Sequence, residues 1–423
     1  MRLRNRVAAV WIALSISLLG LLPTATNAAA DDTERRGFDP DRCSEFVSRA
    51  PILSAPENWK LGKSNPEEWR LEAEKEEEAS RQREPTRKDV PVVFAHGWLS
   101  SSTHNKDRTG AFSKAVDMGS DGAPKLISMG VRARKVSLID WVQDHTGTVS
   151  YTFDYSKVNG RWVTDKDIGS KLARGLECLA ETYLRPTVVV AHSMGGLAVR
   201  EAASRLDRPV NRVLSHVLTI GTPNEGSRVA RHVGSAIGLT KKGISNAVTN
   251  LLFDKTLGTN ADLYDQTGKG LTGVPFVDAF EGEAGKALRA GSPELKRLPK
   301  MPKEVDVHVV AGDMRIGGLA LFNHKLEGPI SVGDGIVSKS SALSGTPEKN
   351  QHVVKCSGLK LVVKAESRKG RIHLNLDVDF GDRRGTASPN KLPCFHTNLT
   401  RETGAALKLN DVLDKAVLYA DLD

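Results

Sequence analysis

After its first thirty residues the sequence has no apolar run long enough to cross a bilayer, which predicts a soluble mature chain. It has no C-x-x-C pair, so a zinc site or a redox motif is not expected. It also lacks a compact basic motif with interleaved aromatic residues, and this argues against nucleic-acid binding. No internal repeat of fixed period is visible. These absences favour a globular protein with no cofactor and no metal, whose oligomeric state the sequence leaves open.

Residues 1–30 have the three parts of a secretory signal peptide. Three arginines stand among the first six residues, Val7–Leu22 is largely apolar, and small residues follow. This order predicts cleavage after Ala28 or Ala30 and an exported, extracellular protein. An uncleaved membrane anchor is the alternative, but the apolar run is shorter than the ~20 residues that a span usually needs. Loss of the three arginines lowers the formal net charge from +9 to about +6, a mild excess for a mixed-charge surface.

The four cysteines are expected to form disulfides. An even number of cysteines in an exported protein predicts two bonds, and three pairings are open. The preferred set is Cys356 with Cys394 and Cys43 with Cys178, because the first pair brackets a single insertion. Their predicted role is structural.

Residues 31–89 differ in character from the rest of the chain. They are polar, and charged residues dominate from Glu67 to Lys88, which predicts a solvated helix or a partly flexible arm. From Val90 to the C-terminus, short apolar runs alternate with helical patterns, as in a mostly parallel sheet covered by helices on both faces. The predicted strands are Val90–Ala95, Ser150–Phe153, Thr187–Ala191, Val213–Ile220 and Val305–Ala311.

Two insertions and a closing helix are predicted in this α/β domain. Residues 222–299 are irregular and rich in glycine, as in a cap above the carboxyl edge of the sheet. Within residues 356–394, the alternating runs Leu359–Lys364 and Arg371–Phe380 flank Lys369-Gly370 and predict a β-hairpin. Asn410–Ala420 is predicted to be the last helix.

A nucleophile is predicted at Ser193. Ala191-His192-Ser193-Met194-Gly195 lies between an apolar strand and a helical stretch, which is the context of a nucleophile elbow. This sharp turn raises the serine hydroxyl above the sheet and requires small neighbours, here Ala191, Gly195 and Gly196. The first small residue is Ala where Gly is usual, and a helix N-cap is the plainer interpretation of the serine. His192 is interpreted as structural. A serine hydroxyl also needs a base and an acid from elsewhere in the chain.

An oxyanion hole is predicted beside the elbow. Two fixed N–H donors are needed where the negative oxygen of a tetrahedral intermediate forms. The backbone N–H of Met194 follows the nucleophile, and that of Trp98 follows His96-Gly97 at the end of the first core strand. An ordinary turn at a strand end is the alternative for the His-Gly pair.

Three segments together resemble secreted bacterial triacylglycerol lipases of the α/β-hydrolase superfamily. They are Phe94-Ala95-His96-Gly97-Trp98, Val190-Ala191-His192-Ser193-Met194-Gly195-Gly196 and Ile220-Gly221-Thr222-Pro223-Asn224-Glu225-Gly226-Ser227. The first two are also similar to lecithin–cholesterol acyltransferase-like and glycosylphosphatidylinositol deacylase-like hydrolases. The Ala-His-Ser-Met-Gly-Gly form is similar to that of small Bacillus-type lipases. The resemblance extends from Val90 to the C-terminus and implies an α/β-hydrolase fold.

The same resemblance implies an acid and a base. The segment Gly333–Ser341 is similar to the acid-bearing segment of these lipases, so Asp334 is the expected acid, with Asp313 as the rival. The base follows the acid in this fold, which leaves three histidines. His396 is preferred because these lipases place theirs just before the last helix. The others are His352 and His373, and the second is interpreted as a surface strand residue.

The implied activity is hydrolysis of acylglycerols or other lipid esters by a Ser-His-Asp mechanism, with a lipid or ester as the substrate. Several calcium-dependent lipases carry an aspartate two residues after the histidine, where this chain has Asn398. An exported acyltransferase with the same triad is one alternative. A non-catalytic envelope-binding protein that retains the fold is another.

Overall fold

Short runs of β-branched residues form the core of a mostly parallel sheet. The computed structural model describes residues 38–51, 84–102, 110–113, 116, 137–158, 160–227, 282–317, 320–321, 324–325, 330–331, 333–368, 371–379 and 393–420. Residues 40–423 form one compact unit. The predicted signal peptide, most of the charged arm and residues 228–281 of the predicted cap lie outside the described residues.

From β2 onward, the strands of the main sheet follow one another across it with a single change of direction. The described strands are β1 Ser48–Arg49, β2 Val90–Ala95, β3 Thr148–Phe153, β4 Thr187–His192, β5 Leu214–Ile220, β6 Asp306–Gly317, β7 Ala320–Leu321, β8 His324–Lys325, β9 Ile330–Ser331, β10 Gln351–Arg368 and β11 Arg371–Asp379. The main sheet has the order β1-β3-β2-β4-β5-β6-β10-β11, with β9 on β6, and β7 pairs with β8. From β3 to β10 the neighbours are parallel, whereas β1, β9 and β11 pair antiparallel. β3 and β4 lie on opposite sides of β2, so the strand order reverses there. Open α/β sheets bind their ligands at such a point.

Helices cover both faces of the sheet. The described helices are α1 Leu138–Asp144, α2 Lys171–Tyr183, α3 Met194–Ala203, α4 Glu283–Ala287, α5 Pro293–Arg297, α6 Lys339–Leu343 and α7 Thr403–Ala420. Alternate residues of the central strands, such as Val188 and Val190 of β4, join one apolar cluster with α1 and α7. The period of two sends the intervening side chains to the opposite face, and α2 and α3 pack against β4 there. Every residue of β2, β3, β4 and β5 is buried, as expected for parallel strands covered on both sides.

Two predicted boundaries were wrong because a strand continues beyond its apolar run. The strand predicted at Val305–Ala311 extends to Gly317, so Asp313 lies inside β6 and not at its end. The hairpin strand predicted to begin at Leu359 begins at Gln351, and its first part pairs with β6 inside the sheet. The hairpin itself is formed, with Arg368 opposite Arg371. In both strands backbone pairing with a neighbour extends the element through polar residues.

The polar arm was expected to be solvated, and one section of it is buried. Cys43, Val47 and Ala50 are almost fully covered, and Ser48 pairs with Thr152 of β3. The final helix also begins earlier than predicted, at Thr403. Tertiary contact stabilises both segments where the local pattern is weak.

Two disulfides join distant parts of the unit. Cys43 is bonded to Cys178 of α2, and Cys356 of β10 is bonded to Cys394. This is the pairing preferred from the sequence. Two disulfides are consistent with an extracellular protein. Within the part of the chain that the structure describes, no helix is both long enough and apolar enough to cross a membrane.

The two described ends of the predicted cap segment meet at one point. Ser227 forms an isolated parallel bridge with Arg289, and its N–H donates to the carbonyl of Leu288 at 2.8 Å. The N–H of Ala290 donates back to Ser227 at 3.1 Å. Backbone pairing therefore holds together the described residues on either side of 228–281.

Candidate active site

Ser193 occupies a strained turn between β4 and α3. Its φ of 54° and ψ of −128° lie in a region that L-residues rarely adopt. The turn is tight enough to demand glycine on its helical side. A Cβ on Gly195 would lie 2.5 Å from the carbonyl oxygens of Ala95 and His96, and a Cβ on Gly196 would lie 2.2 Å from Oγ1 of Thr222. The small residues of the motif are thus required by close packing.

The end of β5 holds this turn in place. The N–H of Ser193 donates to the carbonyl of Ile220 at 2.9 Å. The Thr222 hydroxyl donates to the carbonyl of Ser193 at 3.0 Å. Both partners belong to the third segment of the resemblance, for which the sequence suggested no role. The strained backbone is therefore stabilised from the neighbouring strand.

A histidine from the far end of the chain reaches the serine hydroxyl. His396 begins a 3₁₀ turn, His396–Arg401, just before α7. Its Nε2 lies 2.9 Å from Oγ of Ser193, and its Nδ1 lies 2.7 Å from Oδ2 of Asp334. A carboxylate only accepts, so Nδ1 carries the proton and Nε2 is free to accept from the serine hydroxyl. The structure thus brings together the three residues expected to form the triad.

Asp334 is a buried carboxylate whose second oxygen is also paired. Its Oδ1 accepts the backbone N–H groups of Ile336 at 2.9 Å and Val337 at 2.6 Å. The N–H of His396 donates to the Asp334 carbonyl at 3.0 Å, so main chain and side chain both join the two residues. The two N–H donors fix one carboxylate oxygen and direct the other at the imidazole.

Asp313, the alternative candidate for the acid, does not bond to His396 in the described structure and bonds to other residues. Asp313 is fully buried within β6, and it bonds with Ser331, Lys339 and Arg315. Burial alone would raise the pKa of its carboxyl group. The hydrogen bonds and the positive charge of these partners outweigh burial and lower the pKa below its ordinary value. Asp313 therefore has the environment of a structural ion-pair centre.

The rival histidines lie elsewhere on β10 and β11. His352 is in register with Val310 of β6, and its ring packs against Gly404 at the beginning of α7. His373 is in register with Glu366 in the hairpin. Among the described contacts, His352 has no hydrogen bond to Ser193.

The loop expected to supply an oxyanion donor passes directly over the nucleophile. A Cβ on Gly97 would lie 2.7 Å from Cβ of Ser193 and 3.2 Å from its Oγ. Nδ1 of the fully buried His96 donates to the Gly97 carbonyl at 2.8 Å, while its Nε2 accepts the N–H of Tyr155 at 3.0 Å. These bonds orient the peptide that precedes Trp98.

The second expected donor, Met194, begins α3 directly after Ser193. Helix N-termini direct N–H groups toward anions. Met194 and Trp98 thus lie in segments that flank the serine on either side.

Two further residues border the dyad of His396 and Asp334. Gly221, with φ of +62°, lies so close that a Cβ there would be 3.0 Å from Nδ1 of His396 and 3.1 Å from Oδ2 of Asp334. His192 places its Nε2 3.1 Å from the carbonyl oxygen of His396. Gly221 and His192 both lie in motifs quoted from the sequence. The motifs did not indicate these contacts, because His396 and Asp334 are distant in the chain.

Metal ligands are not grouped in the described part of the chain. No cluster of three or more His, Cys, Asp or Glu side chains there has the arrangement of a metal site. Asn398, at the position where several calcium-dependent lipases carry an aspartate ligand, lies in the turn that begins at His396.

This arrangement defines the class of fold. A mostly parallel sheet carries a serine on a strained strand-to-helix turn, and an acid and then a histidine follow in chain order. The chain has the α/β-hydrolase fold, as predicted.

Comparison with known proteins does not identify a family. No protein-family model matches the chain, and no curated protein matches it. A solved lipase from Bacillus licheniformis in its mature form is 16% identical with a TM-score of 0.36, over 65% of this chain and 86% of that chain. Lipase B of Aspergillus fumigatus is 9% identical with a TM-score of 0.35, over 65% and 47%. Phospholipase PlaB of Legionella pneumophila is 15% identical with a TM-score of 0.32, over 79% and 62%. Likenesses of this degree say nothing about the activity of this chain.

Proposed function

We propose that this protein is an exported carboxylic-ester hydrolase that acts on lipid esters through Ser193, His396 and Asp334. One observation carries the proposal: an unbroken pair of hydrogen bonds, 2.9 Å and 2.7 Å long, connects the strained serine to a buried carboxylate through one imidazole. A merely structural serine would not require a backbone held at φ of 54°. The signal-peptide pattern and the two disulfides support export.

The geometry supports a two-step acyl-enzyme mechanism. Oγ of Ser193 attacks the ester carbonyl carbon while its proton passes to Nε2 of His396, and Asp334 stabilises the imidazolium that forms. The N–H groups of Met194 and Trp98 are proposed to hold the oxyanion. His396 then protonates the leaving alcohol, which departs as the C–O bond breaks. Water attacks the acyl-serine by the same route and releases the acid.

The test uses a fluorophosphonate probe together with two substrate types. Wild-type protein should be labelled at Ser193 and should hydrolyse p-nitrophenyl esters with a burst. A chain-length series of these esters and an emulsified triacylglycerol would define the acyl preference. The Ser193→Ala variant should fold normally, resist labelling and lose the burst. Substantial hydrolysis by that variant, or an unlabelled wild-type protein, would overturn the proposal. Transfer of the acyl group to an added sterol or sugar, with little free acid, would make the protein an acyltransferase.

A further inference from the structure

The carbonyl group of His396 is held by a side chain that does not take part in the proposed proton transfers. Nε2 of His192 lies 3.1 Å from the carbonyl oxygen of His396. A carbonyl oxygen only accepts, so His192 carries a proton on Nε2 and donates it. Its side chain is 6% exposed, and water does not compete effectively for the bond.

The strand pattern explains why His192 reaches this carbonyl. Side chains alternate along β4, so His192 shares a face with Val188 and Val190. These valines pack in the apolar cluster that includes α7, and the turn at His396 leads into that helix. Ser193, the next residue, leaves the strand at the elbow. One strand end therefore carries both the hydroxyl and the donor that anchors its histidine partner.

The main chain of His396 is consequently restrained at both its N–H and its C=O group. Its N–H donates to the carbonyl of Asp334 at 3.0 Å, and its C=O accepts from His192. The rings of His192 and His396 also lie with their centroids 4.8 Å apart at 44°. The bond from the N–H connects His396 to the segment that contains Asp334. The bond to the C=O connects the main chain of His396 to β4, the strand that leads to Ser193.

We infer that His192 is a positioning residue, which holds the His396 main chain through its Nε2–H so that the imidazole stays within hydrogen-bond reach of Ser193. The inference rests on the proposed function, because it concerns the efficiency of the same triad. The imidazole must meet Oγ of Ser193 and then the leaving-group oxygen. A displacement of about 1 Å in such a group lowers the rate by about a hundredfold.

The test compares variants that keep or lose the donor. His192→Gln retains an N–H donor of similar reach, whereas His192→Leu fills the site without one. We expect His192→Leu to lower kcat by about tenfold to a hundredfold with little change in KM, and to slow fluorophosphonate labelling of Ser193 to the same extent. His192→Gln should stay within about threefold of wild type on the same measure. If the Leu variant does not fold, His192→Asn, whose amide is too short to reach the carbonyl, should show the same loss.

A matched control removes a histidine that bonds to α7 itself. Nε2 of His145 lies 2.9 Å from Asp414, in the second half of α7 and beyond the turn that begins at His396. His145→Leu should leave kcat unchanged. A kcat within twofold of wild type for His192→Leu, an equal loss in the Gln variant, or an equal loss in His145→Leu would overturn the inference.

A spectroscopic measurement separates this inference from the proposed function. The Nδ1 proton that His396 shares with Asp334 should give a downfield proton NMR resonance in the wild type and in His192→Gln. The resonance should broaden or move upfield in His192→Leu, and an unchanged resonance would overturn the inference. This result does not depend on turnover. A wild-type protein that is inactive and unlabelled would refute the hydrolase proposal alone.

Discussion

Gly221 lies against the imidazole of His396, with its Cα directed at the hydrogen bond that this ring makes to Asp334. A Cβ at residue 221 would approach Nδ1 of the ring to 3.0 Å, closer than ordinary van der Waals contact. The glycine therefore closes one side of the dyad and leaves no space there for a side chain.

Gly221→Ala should impair catalysis more than it impairs folding. The positive φ of +62° costs an alanine about 1–2 kcal/mol of stability, and the methyl group must also displace the imidazole. We expect kcat to fall by about tenfold or more. Gly291→Ala is the matched control, because Gly291 has φ of +83° and nothing within 4 Å of its Cβ position. Steady-state kinetics and urea unfolding of both variants should show similar stability losses, with a fall in kcat only for Gly221→Ala. Equal kcat values in the two variants would contradict this view of Gly221.

Asp334→Asn should be far more damaging than Asp313→Asn. In the first variant the amide oxygen of the new side chain can still accept the N–H groups of Ile336 and Val337, which turns the amide NH₂ toward Nδ1 of His396. The imidazole must then carry its proton on Nε2 and cannot accept one from Ser193. We expect kcat to fall by about 10⁴-fold, the size of effect seen when a triad histidine is held in the wrong tautomer.

The Asp313→Asn variant is the control for this experiment. It loses charge pairing with Arg315 and Lys339 but leaves the dyad intact. Its unfolding free energy should fall while kcat changes by less than about threefold. A larger loss of kcat in Asp313→Asn than in Asp334→Asn would show that the acid has been assigned to the wrong residue.

The two disulfides should differ in their effect on activity. The bond between Cys356 and Cys394 closes a separation of 38 residues, and Cys394 is two residues from His396. Replacing both cysteines by alanine should cost about 4 kcal/mol from chain entropy and should also lower kcat of the folded protein. Removing the Cys43–Cys178 bond, with a separation of 135 residues, should cost about 5 kcal/mol and leave kcat unchanged. Guanidinium unfolding and active-site titration would separate the two effects, and an unaltered kcat in both variants would exclude a link to His396.

Stability should decline in mild acid because of a buried histidine under α7. The pKa of His216 is lowered from 6.5 to about 4, chiefly by burial, with smaller lowering effects of His308 and Lys415 and an opposing effect of the Asp306 charge. Between these two values the unfolded chain binds a proton that the folded chain excludes, so the free energy of unfolding falls as pH falls from 6.5 to about 4. A shift of this size corresponds to about 3 kcal/mol.

The measurement is urea unfolding at several pH values in that window. His216→Leu should show a shallower decline than the wild type, since one of the excluded protons is no longer involved. The pKa of His308 is also lowered, chiefly by burial, so some decline should remain. Identical slopes in the two proteins would remove His216 as a source of the acid sensitivity.

The sequence was most informative where structure depends on neighbouring residues. The strand Val90–Ala95 has the predicted bounds, and the elbow at Ser193 follows β4 as its apolar run and glycines indicate. Both are decided over a few residues, by a buried strand and by the need for small side chains at a sharp turn. The limits of β6 and β10 were not predictable in this way, because pairing with a neighbouring strand extends both beyond their apolar runs.

The choice among acids and histidines depended on the assembled fold. His396 and Ser193 are 203 residues apart, and His396 and Asp334 are 62 apart. Periodicity carries no information about contacts at such separations, so resemblance could rank these residues but could not bring them together. The roles of His192 and Gly221 likewise depend on where the segment before α7 lies above the sheet. The amino-acid sequence by itself determined the apolar centres of the strands, the turn and the serine proposed as the nucleophile, because these are local. Tertiary packing alone decided which carboxylate and which imidazole lie beside that serine. The order of strands across the sheet sets the distance between segments that are remote in the chain.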